Sequence, residues 1–85
     1  MHKVQIASSA IRDLNRIREP DLGRIRTHIL ALESDPRPHG VKKLDGHLHR
    51  VRVGDWRVLY GINDRQKVVT ILHVIRRSER TYKDV

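Results

Sequence analysis

The sequence predicts an α+β fold in which two helices pack on one face of a mainly antiparallel sheet. A short strand comes first, two amphipathic helical segments follow it, and three consecutive strand-like segments come last. Helices and strands grouped in separate runs are typical of α+β proteins. The predicted order is β-α-α-β-β-β with a short C-terminal tail, and a chain of 85 residues forms one domain, 1–85.

The first part of the chain supplies one strand and both helices. Residues 2–7, HKVQIA, alternate as a strand does. The segment SSAIRDLNRI then has apolar residues on one helical face, and Ser8 or Ser9 is its predicted N-cap. Pro20 ends this helix and begins the next, PDLGRIRTHILALES, whose apolar residues recur at helical spacing.

The segment after the second helix, residues 34–47, has two prolines, two glycines and no periodicity. This composition predicts an ordered but irregular connection. A loop of this length in a compact domain is often functional.

Three strands complete the predicted fold. LHRVRV and WRVLYGI flank Gly54-Asp55, which indicates a tight hairpin. NDRQ then turns the chain into KVVTILHVI, which is apolar on both faces and therefore belongs inside the sheet. His73 is the odd polar residue of that strand, and we expect it to be a hydrogen-bonded core histidine.

The chain is strongly basic, and arginine supplies most of the charge. Lys and Arg number 18 against 10 Asp and Glu, for a net charge of +8, and 13 of the 18 are Arg. Arginine presents a planar fork of donors that matches phosphate, whereas lysine is a point charge. The composition therefore favours a phosphate-rich or strongly acidic partner over a charge that only maintains solubility.

Composition also excludes several classes of protein. The absence of cysteine removes disulfides and thiolate metal sites. Six histidines without an H-x-x-x-H helix do not predict a metal site either. No apolar run approaches the roughly 20 residues of a membrane span, and the N-terminus lacks the apolar segment of a signal peptide. We expect a cytoplasmic protein that uses no metal, no small-molecule cofactor and no membrane.

Alternation places the arginines of the hairpin together. If the apolar residues of both hairpin strands meet the helices, Arg50, Arg52 and Arg57 project from the uncovered face of the sheet. One of Arg76 or Arg77 joins them from the end of the last strand. Like charges in one patch repel, and such a cost is tolerated mostly at binding sites. The alternative is that acidic residues neutralise the patch: Asp45, Asp55, Asp64 and Glu79.

In these residues the sequence resembles the toxins of the RelE/ParE superfamily, from type II toxin–antitoxin systems. The resemblance spans nearly the whole chain and is carried by DPRPHGVKKLDG and by HRVRVGDWRVLYGINDRQKVVTILHVIRRSERTY. It implies the fold predicted above. RelE-like members are mRNA interferases, which enter the ribosomal A site, cut mRNA by attack of a ribose 2′-OH on the adjacent phosphate, and so inhibit translation. ParE-like members poison DNA gyrase instead.

The resemblance also implies roles for individual residues. The implied catalytic residues are Arg57, Arg77, Tyr82, Arg52 and Arg50. The last two stand where RelE members carry lysines. Together these residues favour the endoribonuclease branch. The residues expected to bind RNA are Arg50, Arg52, Arg76, Lys42 and Lys43.

Arginine accounts for phosphate binding better than for proton transfer. It stays protonated up to about pH 12 and is a poor base. His49 and His47 are the nearby candidates for acid–base chemistry, because histidine titrates near neutrality. Alternation, however, assigns both of them to the valine face of the hairpin.

The implied partners are a cognate acidic antitoxin, the ribosome and mRNA. We expect an antitoxin helix to lie across the two helices or along the sheet edge. Two other functions stay open at this point. The chain could be a ParE-like gyrase poison that performs no chemistry, or a decayed toxin that retains only antitoxin binding.

Overall fold

The computed structural model describes residues 1–77. Their elements, in chain order, are β1 (Lys3–Ile6), α1 (Ser8–Leu14), α2 (Asp21–Ala31), β2 (Lys42–Asp45), β3 (Leu48–Val53), β4 (Trp56–Asn63) and β5 (Val68–Arg76). The predicted α+β class is confirmed. None of the helices in this part of the chain is long and apolar enough to cross a membrane. The predicted C-terminal tail lies outside the described residues from residue 78 onward.

The strands form one sheet in the order β1-β5-β4-β3-β2. β1 runs parallel to β5, and every other neighbouring pair is antiparallel. β5 lies inside the sheet, as its apolar residues on both faces predicted. The hairpin at Gly54–Asp55 is also confirmed: Val53 pairs with Trp56 across it, and Gly54 has a φ of +59°, which glycine adopts without strain.

The prediction of an irregular connection over residues 34–47 is wrong for the C-terminal part of this segment. Lys42–Asp45 form β2, which pairs antiparallel with β3 at the sheet edge, and a tight turn at Gly46 and His47 joins the two strands. Only Leu44 of this strand is even partly buried. Because an exposed edge strand needs no alternating apolar residues, periodicity could not reveal it.

The core lies between the two helices and one face of the sheet. Burial of each large apolar side chain contributes about 1.5–3 kcal/mol relative to exposure. In β3 and β4 every second residue faces this core, so the alternate residues are free to serve another purpose. The largest fully buried side chains are Tyr60, Ile25, Leu32, Ile62, Ile71, Val58 and Val69.

Helix α1 binds the part of the β5 edge that lies beyond the end of β1. Its N-cap is Ala7, which makes no side-chain cap, so the predicted serine cap is wrong. Ser9 Oγ instead donates to the carbonyl oxygen of Leu72 at 2.6 Å. One turn later, Asp13 Oδ2 accepts the backbone N–H of Val74 at 2.9 Å. These side chains satisfy backbone groups that a neighbouring strand would otherwise pair.

Trp56 connects α2 to the sheet. Its Nε1 donates to Asp21 Oδ2 at 3.0 Å, and Asp21 is the first residue of α2. The carboxylate thus binds the indole from a position where negative charge also suits the helix dipole. The guanidinium of Arg76 lies 4.9 Å from the centroid of the same ring. Trp56 therefore joins the start of α2 to the end of β5.

Candidate functional site

The face of the sheet turned away from the helices carries Arg50, Arg52 and Arg57, and is termed the arginine face below. On β3 burial alternates along the strand, with Val51 and Val53 buried and Arg52 exposed. The strand register places Arg52 directly opposite Arg57 and Arg50 opposite Leu59. The predicted separation of valines and arginines onto two faces is therefore confirmed.

Like charges meet directly across neighbouring strands of this face. Arg52 is opposite Arg57 between β3 and β4, and Lys42 is opposite Arg50 between β2 and β3. Side chains in such positions have Cβ atoms about 4.5–5.5 Å apart, and like charges there are destabilising. Lys42 thus joins the arginine face. Lys43 is opposite His49 and belongs to the other face.

The electrostatic environment of Arg50 reflects this crowding. Burial lowers the pKa of its guanidinium from the ordinary value, and the charge of Arg57 lowers it further. Arg52 is held at the hairpin turn, where its Nε donates to the carbonyl oxygen of Gly54 at 3.1 Å. The arginine face therefore concentrates positive charge at fixed positions.

Two buried apolar side chains, Leu59 and Ile75, form the floor of the arginine face. Leu59 is opposite Arg50, and Ile75 is opposite Arg57. Neither belongs to the cluster of side chains that packs under the helices. Charges beside an apolar surface are less screened than charges in open water, so the floor strengthens the field of the arginines.

Within residues 1–77, carboxylates form no ion pair with the arginines that face each other across β3 and β4. Asp64 binds the two guanidinium nitrogens of Arg37 at 3.2 and 2.8 Å, away from this face. Hydrogen bonds from Arg37 are the main reason that the pKa of Asp64 falls to about 2. Asp45 and Asp55 form no ion pair in the described part of the chain, and Glu79 lies outside it.

The two arginines that end β5 occupy different faces. Arg76 is opposite Trp56 on the helix side, where its guanidinium covers the indole. The backbone N–H of Arg77 donates to the carbonyl oxygen of Asp55 at 2.7 Å, which places Arg77 beside the hairpin turn. Of the two, Arg77 is the one that alternation assigns to the arginine face. Tyr82 lies outside the described residues.

The structure does not bring His49 to the arginine face. Its side chain is 4% exposed, its ring stacks on Tyr60 with centroids 5.8 Å apart, and its Nδ1 lies 2.7 Å from the carbonyl oxygen of His47. His47 is exposed in the turn before β3 and lines a recess with Gly61 and Thr70. That recess lies towards the end of the sheet opposite the Gly54 turn.

A β-bulge changes which face the last residues of β5 occupy. Leu59 pairs with His73, but the next residue of β4 pairs with Ile71. The strand therefore accommodates one extra residue, Leu72. Because a bulge interrupts alternation, the residues after it exchange faces, and Val74 rather than His73 enters the core.

His73 consequently lies on the arginine face, and the core position expected from the sequence is wrong. Its side chain is 38% exposed, and its Nδ1 is 3.2 Å from Asp13 Oδ2 on α1. Arg50, Leu59 and His73 form one row across three strands. Sequence reasoning missed both His73 and Asp13. The histidine inside this otherwise apolar segment was the one sequence signal of a break in strict alternation.

Comparison with known proteins identifies the family. The family model described as the ParE toxin of the type II toxin–antitoxin system parDE matches residues 4–81. The chain belongs to the RelE/ParE superfamily of toxins. This confirms what the sequence resemblance implied, and the protein is a toxin of a type II toxin–antitoxin system.

Similar proteins place the toxin in the RelE branch. Toxin RelE of Mycobacterium tuberculosis is 36% identical in an alignment that covers 91% of this chain and 82% of the relative. In the archaeal RelE–RelB complex of Pyrococcus horikoshii, the similar chain has 30% identity and a TM-score of 0.83, with 92% of this chain and 97% of that chain covered. Although the family model carries the ParE name, these nearly full-length matches are the more specific finding.

Two further structures are similar to this chain. The RelBE2 toxin–antitoxin complex of M. tuberculosis contains a chain with 28% identity and a TM-score of 0.79, with 89% of this chain and 98% of that chain covered. The isolated E. coli RelE toxin has a TM-score of 0.80 at 12% identity, and the match covers 99% of this chain and 94% of that chain. The E. coli structure supports the fold alone.

Proposed function

We propose that this RelE-like toxin is a ribosome-dependent mRNA interferase, an endoribonuclease that cuts mRNA in the ribosomal A site. The observation that carries the proposal is the arginine face, where Arg52 is opposite Arg57 and Lys42 is opposite Arg50. A surface whose own charges repel is stabilised when a polyanion binds it. Guanidinium groups match phosphate oxygens, which makes RNA the fitting ligand.

The reaction requires stabilisation of negative charge on phosphorus. Attack of a ribose 2′-OH on the adjacent phosphate creates a phosphorane with more charge than the ground state, and donors at fixed positions stabilise it selectively. Arg57 and Arg77 take this role in the proposal. Arg50 and Arg52 bind the neighbouring phosphates of the RNA backbone, and Tyr82 stacks on a nucleobase or orients the phosphate that is attacked.

The other basic residues expected to contact RNA divide between the two faces. Lys42 extends the arginine face towards the sheet edge. Lys43 and Arg76 lie on the opposite face, so in this proposal they contact ribosomal RNA around the A site rather than the strand that is cut.

We further propose that an acidic antitoxin holds the toxin inactive. The similar proteins of P. horikoshii and M. tuberculosis were found in complexes with antitoxins. A net charge of +8 suits an acidic segment. A groove of about 220 Å³ between α1, α2 and β1, lined by Leu14, Leu22 and Leu30 among others, suits the apolar side of a helix. The sheet edge at β2 is the second location.

Gyrase poisoning is the second candidate function, because the matching family model carries the ParE name. A gyrase poison acts by binding and needs no donors aimed at a phosphate. Expression would then induce the SOS response and DNA breaks and leave mRNA intact.

Primer extension on transcripts after toxin induction tests the proposed function. We expect cuts within translated messages for the wild type, and a loss of about 100-fold or more in Arg57→Ala, because one preorganised donor at a developing charge contributes about that much. Antitoxin binding should not change. Arg24→Ala, exposed on α2, is the control for the loss of one positive charge.

Three outcomes distinguish the candidates. Cuts that depend on Arg57 support the endoribonuclease. Intact mRNA together with SOS induction contradicts it and favours gyrase poisoning. Neither effect, with antitoxin binding retained, indicates a decayed toxin.

A further inference from the structure

We propose that His73, oriented by Asp13, is the general base that deprotonates the attacking 2′-OH. This inference rests on the proposed endoribonuclease function and supplies what the arginines cannot. Arginine stays protonated in proteins and does not accept a proton near neutral pH. Histidine is the side chain whose charge changes between about pH 5 and pH 8, which suits proton transfer at physiological pH.

The strand register places His73 beside the phosphate-binding arginines. Leu59 pairs with both His73 and Arg50, so these three residues form one row. Arg57 lies two residues before Leu59 and is therefore a diagonal neighbour of His73. Diagonal neighbours on one face are about 7–8 Å apart, within reach of long side chains, so His73 and Arg57 can converge on a 2′-OH and the phosphate beside it.

The bulge is the reason that His73 reaches this face. Without the extra residue Leu72, alternation would carry His73 into the core and Val74 onto the arginine face. Bulges are over-represented beside active sites, where they re-aim a side chain. Ser9 and Asp13 of α1 bind the backbone on either side of His73, which fixes the strand at this point.

Asp13 determines how the imidazole is oriented. Its Oδ2 lies 3.2 Å from His73 Nδ1 and also accepts the backbone N–H of Val74 at 2.9 Å, so the carboxylate is held in place. A carboxylate at Nδ1 makes that nitrogen the protonated one, and proton exchange with a substrate then takes place at Nε2. Asp13 also stabilises the imidazolium that forms when the ring takes a proton. Asp13 is thus a positioning residue.

The surroundings of His73 fit a phosphodiester. A recess of about 290 Å³ is lined by Ser9, Arg12, Asp13, Arg16 and His73. Arg12 and Arg16 place further hydrogen-bond donors on the α1 side, in addition to those of the strand arginines. Within residues 1–77, charged groups near His73 include Arg12, Asp13 and Arg16 from α1, Arg57 from β4 and Arg50 from β3.

The proposed step forms one bond to phosphorus and breaks another. The 2′-OH gives its proton to His73 Nε2 while the 2′-oxygen forms a bond to phosphorus. The bond from phosphorus to the 5′-oxygen then breaks, leaving a 2′,3′-cyclic phosphate. The 5′-oxygen takes a proton from water, and the resulting hydroxide takes the proton from His73, which restores the neutral ring.

Single-turnover cleavage of mRNA on programmed ribosomes tests the assignment. We expect His73→Gln and His73→Ala to lower the rate by about 10²–10⁴-fold, the usual contribution of a general base. Ribosome binding, measured by co-sedimentation, should be unchanged. Added imidazole should partly restore the activity of His73→Ala. His28→Gln is the matched control, because His28 is exposed on α2.

The pH dependence separates a base from a merely structural residue. The wild-type rate should depend on pH through the protonation of its general base, and this dependence should be absent in His73→Gln. Asp13→Asn keeps an acceptor for the Val74 N–H but removes the negative charge beside the ring. We expect it to lower the rate, and Asp13→Glu to restore the rate in part.

The outcomes distinguish this inference from the function on which it rests. If the wild type and His73→Gln cut mRNA equally fast and with the same pH profile, His73 is not the general base. The proposed endoribonuclease function would then still stand. A wild type that cuts no ribosome-bound mRNA contradicts both. If the His73 variants do not fold, Asp13→Asn decides, and a rate equal to that of the wild type overturns the proposal.

Discussion

The two faces of strands β3 and β4 are built from alternate residues of the same backbone and have opposite properties. On the helix face, Val58, Tyr60 and Ile62 are fully buried. Its buried polar residue, His49, is satisfied by stacking and by a hydrogen bond. On the arginine face, two cross-strand pairs carry like charges, Lys42 with Arg50 and Arg52 with Arg57. One face stabilises the fold, and the other imposes a cost on it.

This difference shows that the arginine face, unlike the helix face, is not optimised for the stability of the fold. Cross-strand pairs are the unit of sheet stabilisation, and opposite charges at these positions would have been favourable. Like charges at both of these pairs are tolerated when a ligand supplies negative charge. Substitutions on the two faces should therefore affect stability differently, and three of them measure the difference.

Truncating a side chain on the helix face should have the largest effect on stability. Ile62→Ala removes buried methyl and methylene groups and leaves a cavity, which costs about 2–5 kcal/mol. Urea unfolding followed by circular dichroism measures the loss. In a domain this small such a loss removes much of the total stability. A cost well below 1 kcal/mol would show that the helix face is not the source of stability.

A smaller and pH-dependent effect is expected for Tyr60→Phe on the same face. The Tyr60 hydroxyl donates to the carbonyl oxygen of Pro36 at 2.8 Å, and its loss should cost about 1 kcal/mol. Burial also raises the pKa of Tyr60 from 10.0 to about 12. The folded state therefore keeps a proton that the unfolded chain loses above about pH 10.

The sign of the pH effect follows from this difference. The contribution of Tyr60 is fully present below its unfolded pKa and is lost as the pH rises towards about 12. Unfolding free energies of the wild type and Tyr60→Phe, measured between neutral pH and this range, should converge as the pH rises. Parallel curves would contradict a buried, protonated Tyr60.

The smallest effect on stability is expected on the arginine face, and its sign is opposite. Arg57→Gln removes one of two like charges that face each other, so it should leave stability unchanged or raise it by about 0.2–1 kcal/mol. High salt should reduce this gain, because it screens the repulsion that the substitution relieves. Arg24→Gln, exposed on α2, controls for the change in net charge. A clear destabilisation by Arg57→Gln would mean that this arginine supports the fold.

The sequence was sufficient for the parts of the structure that depend on local periodicity. Period-two alternation predicted the hairpin, both of its faces and the arginines on one of them. Helical spacing predicted α1 and α2 apart from their caps. The resemblance named the superfamily, which the comparisons confirmed.

The remaining features depend on contacts between distant parts of the chain. β2 has no apolar pattern of its own and becomes a strand only by pairing with β3. The serine expected to cap α1 binds β5 instead, 63 residues away. The extra residue Leu72 has no local signature, and without it His73 is assigned to the wrong face. The contact of His73 with Asp13 spans 60 residues and needs the assembled fold.

The position of Trp56 also makes the intrinsic fluorescence of the protein sensitive to changes near the end of β5. It is the one tryptophan of the sequence, and its ring lies between the carboxylate of Asp21 and the guanidinium of Arg76. Indole emission responds to nearby charges and hydrogen bonds, and Arg76 immediately precedes Arg77 on the chain. A ligand that shifts the end of β5 therefore alters the fluorescence of the unlabelled toxin, so occupancy of the arginine face can be followed in solution without a dye.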